Sequence, residues 1–327
     1  MKYDIVAIGE LLVDFSCDRV NAGGYPSITA HPGGAPANYL SAATRYGCRT
    51  AIITKVGADA FGRLLTDTLR RQKIDTQAVI TDEQFFTTLA FVTLDEDGER
   101  EFSFARKPGA DSMLRAEELC DPVIDEARVL HFGTLSLTDE PSRSATQKAV
   151  NYARERGKLI SFDPNLRKSL WRSEDDAAKQ ILWGLDQADV VKISDEEVAF
   201  LWGLNPEQGA EKILRDYAVQ LVFVTCGKAG CVFANRNVLG RTAAPIVRAV
   251  DTTGAGDIFG GSAMAYLLKR GLPAAELGMK ELLEITQFAC VAASLSTETM
   301  GGIESIPEES AVQLVVEQCR RTQGQER

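Results

Sequence analysis

Residues 251–257 read DTTGAGD and run into IFGGSAMAYLLKR, a stretch with helical periodicity. Gly254, Ala255 and Gly256 carry side chains small enough for the backbone to approach a ligand closely, and the pattern predicts a helix beginning near Gly256 or Asp257. The first turn of a helix holds unpaired N–H groups and the positive end of the dipole, which suits a phosphate. Asp257, at the same helix start, has two readings. It can stabilise the dipole, worth ~0.3 to 1 kcal/mol. It can also take a proton from an attacking hydroxyl. A carboxylate of ordinary pKa, about 3.9, is a weak base, but phosphoryl transfer depends mainly on positioning and on neutralising charge on the phosphoryl oxygens. From the residues alone, a phosphate-binding catalytic turn and a capped structural helix both stay open.

Competing chemistries fit less well. Gly254, Gly256 and Gly260 approach a dinucleotide fingerprint, but that fingerprint opens a βαβ unit, whereas here it follows Asp-Thr-Thr late in the chain, which argues against a nicotinamide-dependent oxidoreductase. At Gly227-Lys228 a Walker loop would need Gly where Val222 stands and Ser or Thr where Ala229 stands. Two histidines, His31 and His131, are too few for most zinc sites or Ser/His/Asp triads. With 36 Lys and Arg against 46 Asp and Glu, the net charge of -10 argues against nonspecific nucleic-acid binding. Any anion must therefore be held locally, as the small-residue turn would hold it.

The elements that position these residues can be read from periodicity. The chain has 327 residues, 45% hydrophobic and 25% charged, enough for two domains or one large α/β domain with an appendage. Short apolar runs at 5–8, 51–56, 129–132, 159–162, 190–193 and 221–225 predict strands buried on both faces. Helical stretches at 37–46, 60–72, 141–156, 175–188, 256–269 and 281–295 alternate with them. This grammar predicts a Rossmann-like, doubly wound, mainly parallel sheet flanked by helices. Residues 87–106, TTLAFVTLDEDGEREFSFAR, break it with two alternating strands around Asp97-Gly98, a hairpin signal. The hairpin is expected to join strands from 11–30 in a small sheet with one free face: a lid over a cleft, a dimer surface or both, the plainer reading being a structural hairpin at a sheet edge. Seven scattered cysteines suit reduced thiols, and acids at Asp4, Glu10 and Asp14 interrupt the first apolar run. A cytoplasmic protein with no membrane span is expected.

Three motifs together resemble a known family. DTTGAGD opening a helix, PGGAPANYLSAATRYGC at 32–48 and KVGADAFG at 55–62 are similar to the signatures of the ribokinase-like (pfkB) carbohydrate kinases. The resemblance runs from VAIGELLVDF near the start to GGIESIP near the end, and GELLVDF, RKPGAD (106–111) and FDPNLRKSLW (162–171) are most similar to fructokinases and related hexose or ketose kinases.

The resemblance implies an ATP-dependent kinase domain over 1–327 with a β-sheet lid. It makes Asp257 the base and Gly254, Ala255 and Gly256 the anion hole. Asp14, Gly33, Gly34 and Asn38 match sugar-holding positions, where a carboxylate and an amide suit vicinal hydroxyls. Arg106 and, in the segment with Asn165, Arg167 match positions that reach toward substrate or phosphate. Thr225, Gly227 and Gly230, in VFVTCGKAG, match the strand and turn beneath the nucleotide. Glu197 follows Ser194 where the family often has Asn-x-x-Glu, a patch tied to Mg²⁺ through water. In some relatives Asp251 and nearby carbonyls hold a monovalent cation; whether K⁺ is used here stays open. Small-molecule partners, a sugar and ATP, and a homodimer through the lid are expected. The leading expectation is phosphorylation of D-fructose to fructose 6-phosphate. The alternatives are 2-keto-3-deoxygluconate or another sugar or nucleoside as acceptor, or a noncatalytic carbohydrate sensor.

Overall fold

The computed structural model describes residues 1–20, 23, 25–94 and 100–325. Its strands in chain order are β1 (Tyr3–Ile8), β2 (Leu12–Val20), β3 (Pro26–Gly33), β4 (Thr50–Gly57), β5 (Val79–Asp82), β6 (Leu89–Leu94), β7 (Arg100–Ala105), β8 (Ala127–Gly133), β9 (Leu159–Asp163), β10 (Val190–Ser194), β11 (Leu221–Thr225), β12 (Cys231–Ala234) and β13 (Leu239–Thr242). The helices are α1 (Ala35–Arg45), α2 (Ala60–Arg71), α3 (Asp121–Asp125), α4 (Ser142–Glu155), α5 (Glu174–Gln187), α6 (Asp195–Trp202), α7 (Pro206–Asp216), α8 (Ala255–Arg270), α9 (Met279–Ser296) and α10 (Glu309–Gln325).

Nine of these strands form a central sheet in the order β13-β12-β11-β10-β9-β8-β1-β4-β5. The pairs β11·β12 and β12·β13 are antiparallel, and the others are parallel. The central strands are covered on both sides, and every residue of β4 is buried, as continuous β-branched runs require. Successive residues of β1 feed opposite cores. Ile5 and Ala7 pack with residues of α1, α2, α8, α9 and α10, while Val6 and Ile8 pack with residues of α3 to α7. All six expected strands and all six expected helices are present, with ends shifted by a few residues. Helix α8 begins at Ala255, one residue earlier than its pattern indicates, because Gly254 turns into it as the N-cap. Strands β5, β12 and β13 and helices α3, α6, α7 and α10 were not anticipated.

The second sheet has the order β3-β2-β6-β7. Segments 11–30 and 87–106 do combine, and β3 extends to Gly33. The β6·β7 pairing is antiparallel, from Leu89↔Ala105 to Leu94↔Arg100; the expected Asp97-Gly98 turn lies outside the described residues. The two hairpins meet through a parallel β2·β6 pair, which local pattern does not reveal. Phe15 of β2 stacks on Phe91 of β6 with centroids 5.3 Å apart and meets the edge of Phe61 of α2 at 5.5 Å, fastening this sheet to the body.

Close packing of α1 on α8 sets the site. A Cβ on Gly261 would lie 2.1 Å from the Tyr39 carbonyl, so only glycine lets the two helices approach this far. That approach carries Asn38 of α1 to the N-terminus of α8. Among the described residues no helix is long and apolar enough to cross a membrane.

Candidate active site

The turn before α8 is built from its own polar groups. Buried Asp251 accepts hydrogen bonds from Thr253 N and Gly301 N, both at 2.9 Å, which pins the turn to the segment after α9. Gly254 has φ 76°, a left-handed conformation that favours glycine, and a Cβ there would lie 2.9 Å from Asn38 Nδ2 and 3.2 Å from Gly302 Cα. The helix starts at Ala255, whose N–H leans on the Thr252 carbonyl at 3.3 Å, and the first α-helical bond runs from Ile258 N to Gly254 O. The amides of Gly256 and Asp257 are thus first-turn donors at the positive end of a 16-residue helix.

Asp257 is buried, with both carboxylate oxygens held. Asn38 Nδ2 donates to Oδ2 at 2.9 Å and Asn165 Nδ2 donates to Oδ1 at 3.2 Å. Asn165 itself stands at φ 45°, a left-handed position that asparagine tolerates better than most residues. Burial raises the Asp257 pKa above the ordinary carboxylate value. The Asn38 bond, Lys192 and Arg167 oppose that rise, and Glu197 adds to it. Lys192, near the carboxyl end of β10, places Nζ 3.0 Å from Asp163 Oδ2 at the end of β9. Burial alone would lower its pKa, but Asp163, Glu197 and Asp257 outweigh this and keep the ammonium charged. A Cβ on Gly256 would come within 2.9 Å of that ammonium, so the small residue leaves Lys192 room beside the turn. The groups lie beyond the carboxyl ends of parallel strands, where open α/β sheets form their binding crevice.

Three cavities meet near these residues. One, of about 40 Å³, lies under the small sheet and is lined in part by Glu10, Leu12, Asp14, Gly34, Asn38, Phe104, Leu135, Asn165, Arg167, Gly254 and Asp257. Enclosure pushes the Asp14 carboxyl up to about 7, Arg167 opposing and Asp257 and Asp251 reinforcing the shift. Burial likewise pushes Glu10 up to about 7, although its Oε1 accepts from Ala35 N at 2.9 Å. Gly33 stands behind Asp14: a Cβ there would sit 2.2 Å from Asp14 Oδ2. The second cavity, about 600 Å³, is a mainly apolar cleft bounded by Thr225, Gly227, Gly230, Ile246, Phe259, Cys290 and Ala293, and it ends on Ala255 and Gly256. A planar base fits such walls, with its phosphates directed toward the turn. The third, about 570 Å³, adjoins Asn165, Arg167, Lys168, Lys192, Ser194 and Glu197.

Of the expected site residues, Asp14, Gly34, Asn38, Asn165, Arg167, Gly254 and Asp257 therefore converge on one cavity, and Thr225, Gly227, Gly230, Ala255 and Gly256 on the other. Four others are placed differently, Gly33 backing Asp14 and Asp251 holding the turn from within. Arg106 does not line the small cavity. It is buried behind the wall, donating to Asp111 Oδ2 at 2.8 Å, Thr138 Oγ1 at 2.8 Å and the Leu135 carbonyl at 3.0 Å. Glu197 faces the third cavity, but its oxygens accept from Leu166 N at 2.7 Å and Ser194 N at 2.8 Å, so it first ties α6 to the loop after β9. No cluster of three or more His, Cys, Asp or Glu capable of holding a metal occurs among the described residues. Lys192, Asp163 and Glu10 were missed by sequence reasoning; only the spacing KIS-x-x-E marked the segment that holds Lys192. His131 has no catalytic placement. It stacks on Tyr39 at 3.6 Å, meets Ser161 Oγ at 3.0 Å and is driven down to about 3 by burial, hence neutral.

Comparison with known proteins accords with this geometry. Residues 2–309 match the model of the pfkB family carbohydrate kinases. Fructokinase-1 of Zea mays is 41% identical over 318 residues, covering 96% of this chain and 98% of the relative. A crystal structure of fructokinase with bound ATP from Xylella fastidiosa superposes with TM-score 0.89 at 28% identity, covering 98% of this chain and 100% of that one. A fructokinase double mutant from Vibrio cholerae O395, in a fructose, ADP and potassium ion bound form, gives TM-score 0.84 at 32% identity, covering 96% and 98%.

Proposed function

The chain belongs to the pfkB family of carbohydrate kinases, and from that premise we propose that it transfers the γ-phosphoryl group of ATP to the primary hydroxyl of D-fructose, giving fructose 6-phosphate. The observation that carries the assignment of roles is Asp257, buried and gripped by two asparagines where the small polar cavity meets the long apolar cleft. Fructose occupies the small cavity, with Asp14 and Asn38 on its hydroxyls. ATP lies in the cleft with its base between Ile246, Phe259 and Ala293.

Asp257 orients the acceptor hydroxyl and takes its proton as the new O–P bond forms and the bond to the β-phosphate oxygen breaks, releasing ADP. Its raised pKa brings it closer to the working pH, where a general base acts best. The first-turn amides, the helix dipole and Lys192 receive the charge of the group in transit, fixed in place before the reaction. A divalent ion, which we take to be Mg²⁺, would neutralise charge on the ATP phosphates, and Glu197, which faces the third cavity, would hold it through water. K⁺ beside Asp251 would meet a carboxylate already oriented by two amides.

An acidic sugar such as 2-keto-3-deoxygluconate is disfavoured. Arg106 is neutralised by Asp111, and Glu10, Asp14 and Asp257 surround the cavity with Arg167 as its lining cation. A nicotinamide site loses its support as well, because Gly260 packs against Tyr39 instead of serving a fingerprint. A sensor without activity would have no use for a base held at both oxygens. We place the protein in the cytoplasm, in keeping with ATP as donor and with the free thiols at Cys48, Cys120, Cys226, Cys231, Cys290 and Cys319. We further infer a homodimer through the small sheet, where Ile28 is exposed, and a compact monomer in solution scattering would remove it. An ADP-release assay over fructose, 2-keto-3-deoxygluconate, ribose and nucleosides tests the substrate. Fructose should give the highest kcat/KM, and a higher value for any other acceptor would overturn the choice.

A further inference from the structure

The β6·β7 hairpin of the small sheet leaves the body at two points, Thr88 just before β6 and Arg106 just after β7, and both are fastened to one side chain. Asp111, in the short helical turn Ala110–Met113, accepts from Thr88 Oγ1 on one carboxylate oxygen and from Arg106 Nε at 2.8 Å on the other. The ion pair is almost dry, with side-chain exposures of 2% for Arg106 and 1% for Asp111. The remaining donors of Arg106 reach Thr138 Oγ1 and the Leu135 carbonyl. Leu135 lines the small cavity, as does Phe104, two residues before Arg106 on β7. Space at the joint is tight, since a Cβ on Gly109 would fall 1.8 Å from Thr88 Oγ1 and 3.0 Å from Asp111 Oδ1.

We propose that Asp111 is a positioning residue for the sugar: it fixes where both strands of the β6·β7 hairpin leave the body and, through Arg106, where Leu135 stands, so it sets two cavity walls without touching substrate. This rests on the sugar-kinase reading of the same cavity. The chemistry suits a rigid joint. A buried charge pair is held by geometry and by satisfying its remaining donors, and a carboxylate accepting from both sides leaves neither strand root free to shift alone. The nucleotide cleft, formed by other elements, does not depend on it.

The test compares Thr88→Val, Asp111→Asn and wild type, each checked by thermal melting, in steady-state assays with fructose and ATP. Both variants should raise the fructose KM by about tenfold, equivalent to one charge-assisted hydrogen bond, while the ATP KM stays within about twofold. ADP release without sugar should rise relative to the fructose-dependent rate, because a loosened lid admits water. A folded Thr88→Val variant with both KM values and the sugar-independent rate unchanged would overturn the proposal, as would a parallel rise in both KM values. Thr88→Val decides if Asp111→Asn does not fold. If the wild type phosphorylates another sugar and not fructose, only the fructose assignment fails, and the same KM comparison with that sugar decides the role of Asp111.

Discussion

The turn at 251–257 and the cavity under the small sheet do complementary work with opposite construction. The turn is seven consecutive residues whose donors are main-chain amides and whose shape follows from one left-handed glycine and one buried aspartate. The cavity takes Glu10, Asp14, Phe104, Leu135 and Arg167 from four separate segments, and its shape depends on how a second sheet is fastened. In the proposed reaction, chemistry common to all phosphoryl acceptors would sit on backbone that a single helix start fixes. Recognition of one sugar would sit on side chains that only tertiary packing brings together. Changes in the turn should lower kcat, and changes in the cavity should raise the sugar KM.

The comparison breaks first at the carboxylate. Asp257→Asn should lower kcat by about 10³- to 10⁴-fold, with the fructose KM within a few-fold, in a steady-state coupled assay. Lys192→Gln, which keeps a donor for Asp163, should lower kcat by about 10²- to 10³-fold by removing charge from the transfer site, with the ATP KM rising more than the fructose KM. Gly254→Ala places a side chain in a left-handed turn against Asn38. It should cost about 1 to 3 kcal/mol of stability, read as a lowered melting midpoint, and reduce kcat by roughly tenfold or more. Arg167→Gln, on the cavity side, should raise the fructose KM by about tenfold and leave kcat within a few-fold. An Arg167 variant that lowered kcat alone would erase the division between the two regions.

The same division decides what was legible in the sequence. Continuous apolar runs and period-3.6 patterns sufficed for β1, β4, β8, β9, β10 and β11 and for α1, α2, α4, α5, α8 and α9, because each carries its own apolar signal. The strands β12 and β13 are four residues each, too short to show a period, and the parallel β2·β6 contact carries no local signal, since a long excursion through β3, α1, β4, α2 and β5 separates the two strands. The turn at 251–257 was readable because its residues are contiguous. Lys192 was not, because its meaning arises only when β9 and β10 align it with Asp163. Arg106 shows the converse: a motif singled out the residue, and only the packed structure shows its guanidinium engaged by Asp111. Glu197 falls between, readable as an acid near phosphate but first engaged as the capping partner of Ser194.

The central claim is that a buried, amide-held carboxylate accepts the sugar proton at the head of α8. Single-turnover transfer from ATP to fructose, followed as a function of pH, addresses it most directly. Burial holds the Asp257 pKa above its ordinary value, so the rate should fall as the pH drops through that raised pKa, before ordinary carboxylates titrate. Because Lys192 opposes the shift, Lys192→Gln should move this acidic limb to higher pH. A transfer rate that stays flat down to the ordinary aspartate range, with the same profile in the Lys192 variant, would contradict the account.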